Sequence, residues 1–474
     1  MTIRRALARL AVLAAFLLLL APPAARAADA APSPIDKQAR AEIIDGVCAE
    51  LERTYVEADT AKLIAAALRK QLKAGAYDRF TDRNDFAQAV TKDLRSLNGD
   101  LHLSLRPAGP GAQPGGARRV VVTGGHAPEG GAPSAGPGGP VVVRRVAGGG
   151  PGAPSDRPIP GMPDAREHNF GLERAEILPG NIGYLEVTGF NGAPGSDDAI
   201  AAALRFLECT DAMIIDVRRN GGGSGQMSHM LFSHFLPADS IPTIRVTSRD
   251  TPKPVLMRSF VDVPGPRRPD VPLYVLTSRR TGSAAEEFSF VLHNLGRATL
   301  VGERTAGAGH MVDFVDVPRD FVLGVSITRV ADPKTGLEWE AVGVQVDKAV
   351  EADRALVVAQ QEALGLLAGR TTDPEKKRRL AWSSDWVAAN DRPQPSPAEM
   401  SRLAGTFEDD REVAVRDGRL VYRRGTMSEV MRPLDENRYM ITPEARFVFD
   451  AGAPAAGFTI ERLDGSHTQV ARKR

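Results

Sequence analysis

Over residues 36–97 the apolar positions recur at helical spacing. Ile43, Val47 and Leu51 form one stripe, Leu63, Leu68 and Leu72 form a second that Gly75 stops, and a third helix is expected from about Asn84 to Leu97. Short apolar runs at 182–187, 212–217 and 273–277 read as strands, two of them continuous enough to be buried on both faces. Helical patterns alternate with them at 197–207, 226–235 and 284–295, the last carrying Phe288, Val291, Leu292 and Leu295 on one stripe. Gly296 stops that helix, and strands resume at 299–301 and 322–327. Strand alternating with helix predicts an α/β core. Beyond Ala404 the pattern becomes a meander, with runs at 412–415, 420–423, 439–441, 447–449 and 458–462. Asp417-Gly418 and Asp464-Gly465 are two-residue hairpin signals between these runs, so a small all-β domain closes the chain.

Composition changes this picture in one place. Residues 107–165 hold 28 Gly or Pro among 59, broken only by the valine triplets at 120–122 and 141–143, and a stretch so poor in buriable surface cannot offset its ordering entropy. Disorder is expected there. Ahead of the first helix, Arg4, Arg5 and Arg9 precede the apolar run 10–21, and Ala25-Arg26-Ala27 supplies the small residues of a cleavage site. An exported chain, periplasmic or secreted, is expected, with no integral membrane segment once the signal is removed. Cleavage after Ala27 shifts the formal charge from +1 to −3, so there is no basic field to hold a nucleic acid. Cys48 and Cys209 both sit in apolar helical patterns, where a buried free thiol is the expected state, and no CxxC or HExxH spacing supports a metal site. No cofactor is indicated.

The residues that carry chemistry cluster at the end of the 273–277 run, in Thr281-Gly282-Ser283-Ala284-Ala285-Glu286-Glu287-Phe288. Ser283 with Glu286 fits a capping box, which by itself needs no chemistry. A strand-to-helix turn also exposes an oxygen nucleophile where helix N-terminal amides can stabilise an oxyanion. Four further blocks accompany it: Gly180-Asn181-Ile182-Gly183-Tyr184-Leu185; Ile215-Asp216-Val217-Arg218-Arg219-Asn220-Gly221-Gly222-Gly223; Arg297 to Thr305; and Glu340-Ala341-Val342-Gly343-Val344. In this order the five blocks resemble the C-terminal processing (tail-specific) serine peptidases, nearest to the tricorn core and the interphotoreceptor retinoid-binding protein-like branch.

The resemblance implies a crotonase/Clp-like core of ββα units at 166–370. An N-terminal helical subdomain (28–106) precedes it, followed by the insert 107–165, and a linker (371–400) and a C-terminal β-meander domain (401–474) come after. It implies Ser283 as nucleophile, with the amides of Gly222 and Ala284 as oxyanion donors. Where the processing peptidases carry their lysine base this chain has Ala308, so the resemblance implies the histidine base of the tricorn-like branch instead. His102 matches the histidine of the tricorn-like branch and Glu340 its supporting glutamate. Strand alternation would place His102, Ser104 and Arg106 on one face, opposite Leu101, Leu103 and Leu105. His310, in the glycine-rich loop after Ala308, is the alternative base or a substrate contact. His293 is expected on an exposed helix face, and His126, His168, His229, His234 and His467 match nothing. The implied activity is hydrolysis of a polypeptide substrate through an acyl-enzyme. A non-catalytic binding protein for a hydrophobic ligand or peptide, with Ser283 only a helix cap, is the other reading.

Overall fold

A computed structural model describes residues 34–108, 164–249 and 253–473 of the chain. The expected signal segment and nearly all of the Gly/Pro-rich insert lie outside the described residues.

The fold is α/β with a small β portion at its C-terminal end. Its centre is a six-stranded sheet in the order β11-β8-β7-β4-β3-β2. It is built from β2 (Leu172–Leu178), β3 (Ile182–Val187), β4 (Ala212–Asp216), β7 (Leu273–Thr277), β8 (Thr299–Gly302) and β11 (Lys348–Ala349). β2 pairs antiparallel with β3; all the other pairings are parallel. β4 and β7 are buried at every position because both faces of the sheet are covered. Met213, Ile215 and Val275 pack beneath α4 (Ser196–Phe206), α5 (Gly225–Ser233) and α6 (Ala284–Asn294). The alternate residues Ala212, Ile214, Tyr274 and Leu276 pack against α7 (Ala355–Arg370) and α8 (Pro374–Asp391). That alternation is the period-two geometry of a strand between two layers.

A second sheet joins β1 (Ser104–Pro107), β10 (Phe321–Ala331), β5 (Pro242–Ser248) and β6 (Val255–Arg258), with β9 (Met311–Val317) on the other edge of β10. Leu103, Leu105, Val315, Phe321 and Leu323 form its buried face. Helices α1 (Lys37–Thr54), α2 (Ala58–Lys73) and α3 (Arg83–Arg95) cover it through Ile43, Val47, Leu51, Ile64, Leu68 and Phe86. The N-terminal helices therefore share one core with strands from more than 200 residues downstream. The C-terminal strands form two antiparallel meanders, and Asp417 and Gly418 both take positive φ, 48° and 71°, as a type I′ hairpin turn requires.

Three expectations change. Residues 371–400, expected as a linker, contain the 18-residue helix α8 and the start of α9 (Pro397–Leu403). Asp373 caps α8 ahead of Pro374, and the helix divides its apolar residues between two neighbours, so no single stripe announces it. Leu380 and Val387 meet the central sheet, while Trp382 and Ala389 meet Leu434 and Met440 of the β-meanders. Cys209 is exposed, because it lies in the turn beyond the end of α4 rather than on the helix; Cys48 is buried, and both thiols are free. His102 is not on a strand: β1 begins at Ser104, and His102 closes a turn with Leu101, which is exposed instead of joining Leu103 and Leu105.

Candidate active site

Ser283 stands where β7 delivers the chain to α6, at the carboxyl edge of the parallel strands, the usual position of a site in an open α/β sheet. Its backbone is strained, with φ 52° and ψ −120°, a region that side chains other than hydrogen rarely occupy. Two contacts hold it there. The Ser283 N–H donates to the Glu286 carboxylate at 2.8 Å, closing a capping box. Gly222 packs against the turn so closely that a Cβ on it would lie 2.7 Å from Ser283 Cβ and 2.9 Å from the Gly282 carbonyl oxygen. At φ 110°, Gly222 is in a conformation and a space that only glycine fits.

Glu286 is fully buried. Besides the Ser283 amide it accepts the Thr305 hydroxyl, the Gly307 N–H at 2.6 Å and the Ala308 N–H at 2.8 Å, and burial raises its pKa in spite of those donors. It thereby ties the Ser283 turn to the loop that leads to His310.

His102 reaches the same point from the opposite side. Its Nε2 lies 3.1 Å from Ser283 Oγ. The turn that carries it docks on β10, where a Cβ at Gly324 would lie 2.9 Å from the His102 carbonyl oxygen. Burial lowers the His102 pKa to about 4, so the ring is neutral at neutral pH and able to accept a proton. Its Nδ1 is buried without a hydrogen-bond partner among the described residues.

The other expected site residues divide. The Ala284 amide opens α6, where the helix itself supplies no acceptor, and it adjoins Ser283. The Gly222 N–H donates to Asn220 Oδ1 at 2.8 Å, so in this conformation it is engaged within its own turn and is not a free oxyanion donor. Glu340, expected to orient His102, makes no hydrogen bond to it. Glu340 Oε2 instead accepts the N–H groups of Gly309 at 2.6 Å and His310 at 2.8 Å, and its Oε1 is buried and unpaired. His310 does not hydrogen-bond to Ser283 either; its Nδ1 faces Asp100 Oδ2 at 3.2 Å. Asp100, His310 and Glu340 bring possible ligand atoms within 4.8 Å of one another, but Asp100 and His310 already hydrogen-bond to each other. His293 pairs with Asp347 at 3.1 Å and is only partly exposed, while His229 is buried against Glu287.

Sequence reasoning gave no role to Asp100 and did not single out Tyr55. Asp100 accepts the His102 backbone N–H at 2.9 Å and the Tyr55 hydroxyl at 2.9 Å. The Asp-x-His spacing was a usable signal for the first contact. Nothing local marked Tyr55, which is 45 residues away.

A serine set against a neutral histidine on a strained strand-to-helix turn is the arrangement of a serine hydrolase. Residues 181–350 match the family model of Peptidase family S41, so this central stretch is similar to that peptidase family. Among individual proteins, the chain is 30% identical over 173 residues to a carboxyl-terminal-processing protease of Synechocystis sp., a match covering 36% of this chain and 38% of that one. It is 27% identical over 165 residues to the chloroplastic carboxyl-terminal-processing peptidase 3 of Arabidopsis thaliana, covering 35% and 31%. The chain thus spans about a third of the length of these relatives. Among solved structures, a photosystem II D1 C-terminal processing protease overlays 67% of this chain and 94% of its own with a TM-score of 0.38 at 18% identity.

Proposed function

We propose that this chain is an exported serine peptidase, periplasmic or secreted, that hydrolyses peptide bonds of polypeptide substrates through an acyl-enzyme on Ser283. The observation that carries the reading is the 3.1 Å approach of His102 Nε2 to Ser283 Oγ across 181 residues of sequence. In acylation the Oγ–C bond forms as the hydroxyl proton passes to Nε2. The Ala284 amide stabilises the oxyanion, and the imidazolium returns the proton to the leaving amine as the C–N bond breaks. Water then repeats the sequence and frees the acid. Gly222 joins Ala284 as a donor when its N–H exchanges Asn220 for the oxyanion. Glu340 is the acceptor we assign to the His102 Nδ1–H, reached by rotation of its carboxylate, since Glu340 Oε1 and His102 Nδ1 are both buried and unpaired. The domain division set out from the sequence belongs to this proposal, with α8 added between core and meanders.

The test is labelling by a fluorophosphonate. The wild type should form a covalent adduct at Ser283 and cleave an unfolded protein substrate, and Ser283→Ala should do neither. Equal cleavage by that variant would remove the assignment; a wild type that never labels would favour a binding protein in which Ser283 is only a cap.

A further inference from the structure

His102 is held by a buried ionic arrangement in which Asp100 and His310 have no part in the acyl-transfer steps themselves. Asp100, fully buried, offers Oδ1 to the His102 backbone N–H and Oδ2 both to the Tyr55 hydroxyl and to His310 Nδ1. Tyr55 is fixed in turn by Asn98 Nδ2 at 2.6 Å. On its other side His310 Nδ1 lies 3.8 Å from Glu340 Oε2, and that oxygen also accepts the His310 backbone N–H. Two carboxylates, Asp100 buried and Glu340 partly buried, therefore converge on one imidazole from separate segments, the turn before β1 and the loop after β10. Without a positive charge between them they would repel each other in a medium that screens poorly.

We infer that His310 is a positioning residue: as a buried cation between Asp100 and Glu340, it ties the turn carrying His102 to the loop ahead of β9 and so sets His102 against Ser283. Burial opposes charging of His310, but the hydrogen bond to Asp100 and the charges of Glu340 and Asp100 outweigh it and hold its pKa above the ordinary histidine value. Asp100 responds reciprocally. Burial would raise its pKa, yet its hydrogen bond to His310, with smaller help from Ser326 and His102, holds it at about 2. Glu57, at the start of α2, adds a more distant negative charge, and His102 itself faces both His310 and Asp100. His310 is thus not a competing base, because its free energy of protonation is committed to the clamp.

The inference rests on the peptidase reading only in its kinetic arm. His310→Gln should lower kcat and the fluorophosphonate labelling rate by about 10- to 100-fold, the scale of a misplaced catalytic group, with KM within about twofold. Its acid limb should move to higher pH, because removing the cation lets Asp100 raise the His102 pKa. Asp100→Asn combined with His310→Gln should lose less than the product of the two single losses. An unchanged kcat and an unmoved acid limb would overturn the inference. The second arm needs no turnover: in nitrogen-15 histidine spectra of the wild type at pH 6.5, where an ordinary histidine is half charged, His310 should be mostly doubly protonated while His102 is neutral. A neutral His310 at that pH refutes the clamp even in a protein that cleaves nothing. Failure to label Ser283, with His310 still charged, would count against the peptidase reading alone.

Discussion

Among the described residues two helices start at Ser-x-x-Glu, and both close a capping box in which the serine N–H donates to the glutamate at 2.8 Å, but their surroundings differ. At α9, Ser396 has φ −60° and ψ 154°, its hydroxyl donates to Glu399 at 2.6 Å, and both side chains are exposed. At α6, Ser283 has φ 52° and ψ −120°, its glutamate is buried among four donors, and its hydroxyl faces a histidine. The Glu399 pKa is lowered by the hydrogen bonds from Ser396, whereas burial raises that of Glu286. A capping box fixes where a helix begins. Whether its serine is also reactive depends on what the rest of the fold places around it.

The largest expected difference between the two is in activity. Ser283→Ala should abolish labelling and cleavage, while Ser396→Ala should leave both intact and cost about 1 kcal/mol of stability in a denaturant titration. Next comes Gly222→Ala, whose Cβ collides with Ser283 Cβ at 2.7 Å. It should reduce labelling at least about 100-fold and lower stability by about 1–3 kcal/mol; near-wild-type labelling would show that the turn does not need this close approach. Glu286→Gln leaves a buried acceptor set mismatched and should cost about 1–3 kcal/mol, measured as a shift of the denaturation midpoint. Glu399→Gln, on the surface, keeps an acceptor for the Ser396 N–H and should move that midpoint much less than Glu286→Gln does.

The smallest effects are in pH dependence, and they have opposite signs. Glu286, its folded pKa raised, favours the folded state below the unfolded carboxyl value of about 4.3, and this contribution is lost as pH rises through its folded pKa. Glu399, its pKa lowered, contributes above that value and loses its contribution as pH falls. Carbon-13 carboxyl titration separates them. His102 sets a related limit on catalysis. Its pKa of about 4 predicts an acid limb of kcat/KM near that pH rather than near 6.5. The same depression means stability falls as pH drops from about 6.5 toward 4, where the unfolded chain takes up the proton first. A limb at 6.5 would place His102 in solvent.

Much of the central sheet was legible because each β/α unit is local: the runs at 182–187 and 273–277 coincide with β3 and β7, and α6 differs from its expected range by one residue. β2, β5, β6 and β9 were not anticipated. β2 exposes several polar positions, and β5, β6 and β9 are only partly buried, so no continuous apolar run marks them. α8 escaped for the reason already given, its two-sided packing. At the site, Ser283 and His102 were nameable from motif order, but the partner of each nitrogen was not. The hydrogen bonds that Glu340 makes to the His310 backbone and that the Gly222 amide makes to Asn220 could not be read from the motifs that named those residues.

The sequence by itself determined the local events: which runs become buried strands, where Gly and Asp turn the chain, and that a serine would sit at a helix start with a glutamate three residues on. These depend on periodicity and on contacts within a few residues. Only the tertiary structure decided that Ser283 meets His102 and that Asp100 meets His310, pairs separated by 181 and 210 residues. The distances within these pairs and the pKa shifts of their members arise from burial and from charges brought together by two sheets packing, and neither exists until the chain has folded.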